Sequence, residues 1–288
     1  MSGKQNLAIV GIFYDGYYDL WEDFLELKER YWKDCPYPLY IVNQTKELNF
    51  SKKYEVTVLH AGEDAEYSRK VQTALKEIKA DYYLLLLDDF FFSRKLSGSV
   101  LDDRLSFMKD NNLFYYCMPL KEFAKTWTGT KYHNNDSILN MRGAAEYTVN
   151  CQPSIWERTF LEKCIGNGNY NAWVFEGIYI KSKIAHTDSF LSHCKVDVSN
   201  LLSLRHGALQ GKLLPSTVSY FESEGYRMKN KRPLLDKKSF RIDELKNFIK
   251  TYMPLRLQKI FKSILKSESV IDRYQDDIIS EMRNLGVE

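Results

Sequence analysis

The 288-residue sequence lacks most of the short motifs that mark an enzyme class. Its five cysteines, Cys35, Cys117, Cys151, Cys164 and Cys194, are odd in number and form no CxxC pair. That argues against a zinc site or a disulfide framework and predicts reduced, mostly buried thiols. There is no GxGxxG after the first apolar run, no GxxxxGK[ST] loop, no GxSxG elbow and no HExxH. These absences weigh against Rossmann dehydrogenases, P-loop enzymes and kinases. No apolar run approaches the roughly 20 residues that span a bilayer, and the longest candidate, residues 82–92, is broken by Asp88 and Asp89. The first apolar run meets Asp15 and Asp19 with no signal-peptide pattern, so a cytoplasmic protein is expected.

What is present is ordinary globular material, with 44% hydrophobic and 27% charged residues, which excludes disorder and collagen-like structure. The length fits one large domain or two small ones. Twenty Tyr, 16 Phe and five Trp can build a core and also line a cleft. Net charge is +3, unevenly placed: residues 226–266 carry 13 Lys and Arg against three acids, a net of +10 that leaves −7 on the rest. A mildly acidic body with a basic C-terminal segment points to an anionic partner such as a membrane surface, a nucleic acid or phosphates. The basic run lacks an RNA-binding aromatic motif, so nucleic acid is not the expected partner.

Apolar runs suiting buried strands occur at Leu7–Phe13, Leu39–Asn43 and Glu55–Leu59. Helical spacing predicts a helix over Asp19–Lys33, with Leu20, Phe24, Leu27 and Tyr31 on one face, and another over Ser68–Lys79. A very apolar strand then ends in Asp88 and Asp89. Strands alternating with helices imply a mainly parallel sheet, whose ligands bind at the carboxyl ends of its strands. Beyond residue 101 a helix is expected over Leu101–Lys109, a strand over Leu113–Met118, a loop over 126–150 and a helix over Ser154–Cys164. The last 50 or so residues read as helical, interrupted by Pro254.

Five clusters can carry chemistry. Asp88 and Asp89 follow four leucines and must emerge at a strand end, because unpaired buried carboxylates are costly. Hard oxygen ligands there suit Mg²⁺ or Mn²⁺ held together with substrate phosphates, although two acids also suit a solvated turn or a helix N-cap. Glu176, set among aromatics in Trp173-Val-Phe-Glu176, is a candidate general base, or else a salt-bridged acid at the core edge. Gln152 and Trp156 offer a hydrogen bond and a stacking surface to a polar ring, or else a helix start with a packing Trp. Of His186, His193 and His206, only His206 is placed to reach a diphosphate or metal, and a lone histidine is more often structural. The stretch Leu255–Leu265 is a basic amphipathic helix that suits a membrane interface, or packing on its own domain or a partner.

Over residues 5–225 the order of these pieces resembles bacterial glycosyltransferases of capsule, exopolysaccharide and O-antigen synthesis. The resemblance rests on Phe13-Tyr14-Asp15 after the first strand, Asp34-Cys-Pro36, Ala61-Gly-Glu-Asp64, and above all DYYLLLLDDFFF, QPSIW and AWVFE. It implies an α/β, Rossmann-like nucleotide-diphospho-sugar transferase (glycosyltransferase-A) fold: a mainly parallel sheet with flanking helices and a helical C-terminal segment. The implied division is a catalytic domain over 1–225 and a basic helical extension over 226–288. The implied activity is metal-dependent, inverting transfer of a hexose from a nucleoside-diphosphate sugar, most readily a UDP-sugar, to a lipid-linked saccharide. Asp89, with His206 from the far side, would hold Mn²⁺ or Mg²⁺. Asp88, Phe13, Tyr14, Asp15 and Asp64 would face the nucleotide and donor. Gln152, Trp156 and Trp173 would contact sugar, and Glu176 would be the base. The basic tail would hold the protein at the inner face of the plasma membrane. Two rivals remain: a sugar nucleotidyltransferase, against which the missing Gly-rich N-terminal loop counts, and a non-catalytic membrane or polysaccharide-assembly module.

Overall fold

Every residue of the first strand, β1 (Leu7–Ile12), is buried. Leu7 and Ile9 pack to one side of the sheet, Ala8, Val10 and Ile12 to the other. A strand apolar on both faces needs cover on both faces, which is why helices flank this sheet on either side. The computed structural model describes residues 6–50, 53–124, 129–141, 148–236 and 270–288.

The strands that follow are β2 (Leu39–Asn43), β3 (Thr57–His60), β4 (Tyr82–Leu87), β5 (Phe90–Phe92), β6 (Tyr115–Cys117), β7 (Lys131–Tyr132), β8 (Asn135–Asn140), β9 (Ser154–Glu157), β10 (Cys194–Asp197), β11 (Leu204–His206), β12 (Ala208–Leu209) and β13 (Lys212–Leu213). The helices are α1 (Tyr18–Tyr31), α2 (Tyr67–Glu77), α3 (Asp102–Asp110), α4 (Lys121–Ala124), α5 (Arg158–Ile165), α6 (Ala172–Lys181), α7 (Asp188–Leu191), α8 (Pro215–Ser223), α9 (Val270–Arg273) and α10 (Gln275–Leu285). Nine strands form one sheet in the order β3-β2-β1-β4-β9-β6-β10-β8-β7. β3, β2, β1 and β4 run parallel, β9 is inserted antiparallel between β4 and β6, and β10 returns parallel to β6. The anticipated mainly parallel α/β sheet with flanking helices is therefore present.

Leu20, Phe24, Leu27 and Tyr31 of α1 are all buried, as their spacing predicts. α1 contributes to the core on one side of the sheet, and α2, α5, α6 and α10 contribute to the core on the other. Two expectations are corrected. Ser154–Glu157 is a strand and only Arg158–Ile165 is helical, because the register of β4 and β6 draws SIWE into the gap between them. Residues 126–150 include the β7–β8 hairpin in place of an uninterrupted loop. The residues just after 225 pack on α1. Tyr226, Lys229 and Asn230 bond the acids of α1, Asp23 among them, and Arg232 forks onto Asp19.

The C-terminal helix α10 docks on α6. Ile278 is fully buried against Gly177, where a Cβ would collide with the isoleucine side chain. Gly166, with φ +58°, closes α5 in the left-handed region and lies under Leu285. The basic amphipathic stretch 255–265 lies outside the described residues. Among the described residues no helix is long and apolar enough to cross a membrane. Truncating Ile278 to Ala should lower unfolding free energy by about 2–5 kcal/mol, the usual cost of emptying a core aliphatic site. Urea melts check this. A change under about 0.5 kcal/mol would mean that α10 is not docked in solution.

Candidate functional site

Parallel strands present their carboxyl ends along one edge, and the βα loops there carry most of the singled-out residues. β4 stops at Leu87 and turns at Asp88-Asp89 into β5, which pairs antiparallel with β11. Apolar strands on both sides pin the turn, since Phe90, Phe91 and Phe92 are all buried. The acid pair is held at the mouth with Asp88 5% and Asp89 9% exposed.

Asp88 Oδ2 accepts both the backbone N–H of Tyr14 (2.9 Å), at the end of β1, and the indole N–H of Trp21 (3.3 Å), from α1. Burial first, and the adjacent Asp89 charge second, push the Asp88 carboxyl up to about 8, while those two donors and Lys70 pull the other way. Asp89 is tied by its main-chain oxygen to Gly207 N (2.6 Å), and its Oδ2 lies 3.2 Å from His206 Nε2. Register explains the approach, because β11 pairs His206 opposite Phe90. Among the described residues neither carboxylate has a Lys or Arg within 4.0 Å, Asp89's only ion-pair contact being with His206.

A divalent cation fits this pair in chemistry. Two ligands at 2.0–2.1 Å on an octahedral ion stand about 3 Å apart, close to the 3.2 Å between Asp89 Oδ2 and His206 Nε2. Among the described residues no Lys or Arg neutralises either acid, so an arriving cation that displaces the Asp88 proton would meet negative charge. Among the described residues no group of three or more His, Cys, Asp or Glu converges as a ready-made cage, so an ion here needs substrate oxygens to complete its shell.

The other predicted residues divide by placement. Tyr14 is 54% exposed at the end of β1. Phe13 is fully buried between Trp21 and Phe24, so its ring underlies the mouth and does not line it. Asp15 accepts Gln44 N on one oxygen, and Thr45 N, Thr45 Oγ1 and Lys46 N on the other. Its carboxylate binds the β1 and β2 loops together and has little capacity left for a base. Asp64 is exposed at the β3 end, and its main-chain oxygen accepts from Asn169 Nδ2.

Gln152 Oε1 accepts Leu120 N, and Glu176 Oε1 accepts Cys151 N at 2.9 Å. Residues 151–153 precede β9, which is antiparallel to β4, so they leave the sheet at the edge where the acid pair sits. Trp173 is 51% exposed in the first turn of α6, whose start is capped by Asn171. Trp156 is 1% exposed and packs on Tyr115, Phe160 and Phe175, which removes the stacking face expected of it.

Two features escaped sequence reasoning. Arg232 packs over the Tyr17 ring at 4.2 Å while bonding Asp19, Gly16 O and Gly211 O, so it straps the β12–β13 turn to the start of α1. Lys70, 4% exposed in α2, has its Nζ 5.6 Å from the Tyr14 ring centre. A signal existed for it: positions 67, 70, 71, 74, 75 and 78 form the inward stripe of α2, and Lys70 is in that stripe.

These observations define an α/β protein with a mainly parallel nine-stranded sheet and an acid pair at the carboxyl end of its fourth strand. No protein-family model matches the chain, and no curated protein matches it. Among solved structures, TarS 1-349 of S. aureus is similar at 9% identity and TM-score 0.43, over 68% of this chain and 58% of that one. The same protein in complex with UDP-GlcNAc aligns at 9% identity and TM-score 0.46, over 98% and 72%. A cytidylyltransferase from Leptospira borgpetersenii aligns at 9% identity and TM-score 0.45, over 87% and 99%.

The raised acid gives a pH prediction. Asp88 takes up a proton in the folded state at a pH where the unfolded chain, near 3.9, has lost it. Folding stability contributed by that proton is therefore full below about pH 4 and is lost as pH rises toward 8. Asp88→Asn keeps an oxygen for Tyr14 N and Trp21 Nε1 and removes the titration. The ligand-free variant should melt above the wild type at pH 8, with the gap closing toward pH 5. Thermal melts across that range check it, and a gap that does not vary with pH would refute it.

Proposed function

We propose that the chain is a divalent-cation-dependent glycosyltransferase. It moves a hexose-type sugar from a nucleoside-diphosphate sugar, most readily a UDP-sugar, to a saccharide acceptor, lipid-linked in cell-surface polysaccharide synthesis. The observation that carries this reading is the buried acid pair at the carboxyl end of β4, with no Lys or Arg on it among the described residues and with His206 beside Asp89. Such a pair suits an ion that faces phosphate oxygens.

Asp89 and His206 would hold the cation. When bound, it would neutralise negative charge developing on a diphosphate leaving group. The remaining work falls to this chain's own groups. Tyr14 and Asp64 line the donor side, at the ends of β1 and β3. Gln152 and Trp173 lie on the acceptor side. Glu176, oriented by the Cys151 N–H, takes the proton of the attacking hydroxyl. One displacement on the face opposite the leaving group inverts the anomeric centre.

We further propose that the basic C-terminal stretch holds the enzyme at an anionic cytoplasmic membrane face. Its first part contributes less than its charge count implies, because Lys229 and Arg232 are paired with Glu22, Glu26 and Asp19 of α1.

A thermal-shift screen of nucleotide sugars with and without Mn²⁺ tests the donor side. Saturation at about 100 times Kd stabilises by about 2.7 kcal/mol, and Asp89→Asn should abolish the Mn²⁺-dependent part. Glu176→Gln should lower turnover by about 100-fold or more with donor binding intact. Pyrophosphate release from a nucleoside triphosphate would point instead to a nucleotidyltransferase, and liposome binding without nucleotide binding to a non-catalytic module.

A further inference from the structure

Lys70 is a buried cation with no counter-charge in contact among the described residues. Among the described residues its ammonium makes no hydrogen bond and has no carboxylate within 4.0 Å, and its recorded neighbour is the Tyr14 ring. The acids that act on it, Asp88, Glu66 and Asp15, do so at longer range, and the Asp88 and Asp15 carboxylates already accept other donors. Burial lowers the amine to about 8, so the ammonium form still predominates at neutral pH. An ammonium offers three donors, and leaving them unmet in a buried place is costly.

The position of this side chain points to a ligand. Tyr14 N is bonded to Asp88, and the Tyr14 ring lies over Lys70, so the lysine stands beside the acid pair at the carboxyl edge of the sheet. A neutral carbonyl would satisfy one donor and leave the charge uncompensated. A phosphate oxygen meets both needs.

Resting on the donor-site reading above, we propose that Lys70 is an anion anchor whose ammonium donates to a phosphate oxygen of the donor nucleotide. The acid pair and the lysine thus recognise opposite charges on one ligand, and the class of ligand is a nucleotide carrying at least one phosphate.

Isothermal titration of the full chain in EDTA with uridine, uridine monophosphate and UDP tests this, using Lys70→Met, which keeps length without charge, and Lys70→Arg, which keeps charge. Lys70→Met should weaken both phosphorylated ligands by about 10- to 100-fold and leave uridine unchanged. Lys70→Arg should retain most of the affinity, and neither variant should lower the melting temperature of the ligand-free protein. Equal losses for uridine and its monophosphate would place the ammonium on the base and overturn the proposal. A lowered ligand-free melting temperature with all ligands weakened alike would mark Lys70 as structural and overturn it too. Phosphate-dependent binding indifferent to Lys70 would sink this proposal alone. Failure of the wild type to bind any of the three, in EDTA and again with Mn²⁺, would sink the donor-site reading with it.

Discussion

Two carboxylates side by side, buried at the tip of an apolar strand, are a costly feature of this chain, and the surrounding structure is arranged to hold them. Among the described residues neither is relieved by a Lys or Arg ion pair. Asp88 is kept by one backbone and one indole N–H, from the end of β1 and from α1, and in the ligand-free state burial and its neighbour favour its protonated form. Asp89 is fixed through its own main chain by Gly207 and through its carboxylate by His206. The β5–β11 pairing gives Asp89 its place, and the three phenylalanines of β5 anchor that pairing in the core.

The loops around the pair are stitched to one another. Asp15 ties the β1 loop to residues 44–46. Asn169 bridges to the Asp64 carbonyl and the Glu66 N–H, and Ser68 and Gln72 both bond Gly168 O. Arg232 closes the far side over Tyr17. Most of these contacts join residues 29 to 216 positions apart. A mouth held this way enters binding with its entropy cost largely met, which is what precise placement of a reacting group requires. The helix that carries Glu176 is braced from behind by α10, whose Ile278 occupies the space Gly177 leaves open.

Much of this was legible in the sequence, and the misses share a cause. Runs apolar on both faces announce central strands, and β1, β2 and β4 lie within a residue of where Leu7–Phe13, Leu39–Asn43 and the run ending at Leu87 place them. An acid pair after four leucines announces a strand end, because burial in mid-strand is forbidden by charge. By contrast, Ser154-Ile-Trp-Glu is too short to declare a period, and Pro153-Ser154 imitates a helix start. Only the vacancy between β4 and β6 makes it a strand, and that turns Trp156 into the core. Phe13 and Asp15 flank an exposed tyrosine and look like a binding edge. Their partners, Trp21 and Phe24 for one and residues 44–46 for the other, come from α1 and the next loop and are invisible to local spacing. The basic tail shows the same limit, since charge counts do not reveal that Lys229 and Arg232 face acids of α1.

That Lys70 and Asp88 do not close on one another is itself informative. Each acts electrostatically on the other, and a direct ion pair would let Asp88 give up its proton while supplying the Lys70 charge with a partner. Tyr14 satisfies Asp88 through its N–H and lays its ring over Lys70, so it occupies the contact surface of both. A fold selected for stability alone would let the pair collapse. Keeping a buried acid and a buried base apart within one mouth is a standing cost, and such costs persist where function needs the groups unpaired. The exposed face of Tyr14, more than half accessible, then borders a rim of the sheet carrying both signs of charge. A ligand that is itself a string of opposite and complementary charges, an anion with its cation, is the species such a rim discriminates best.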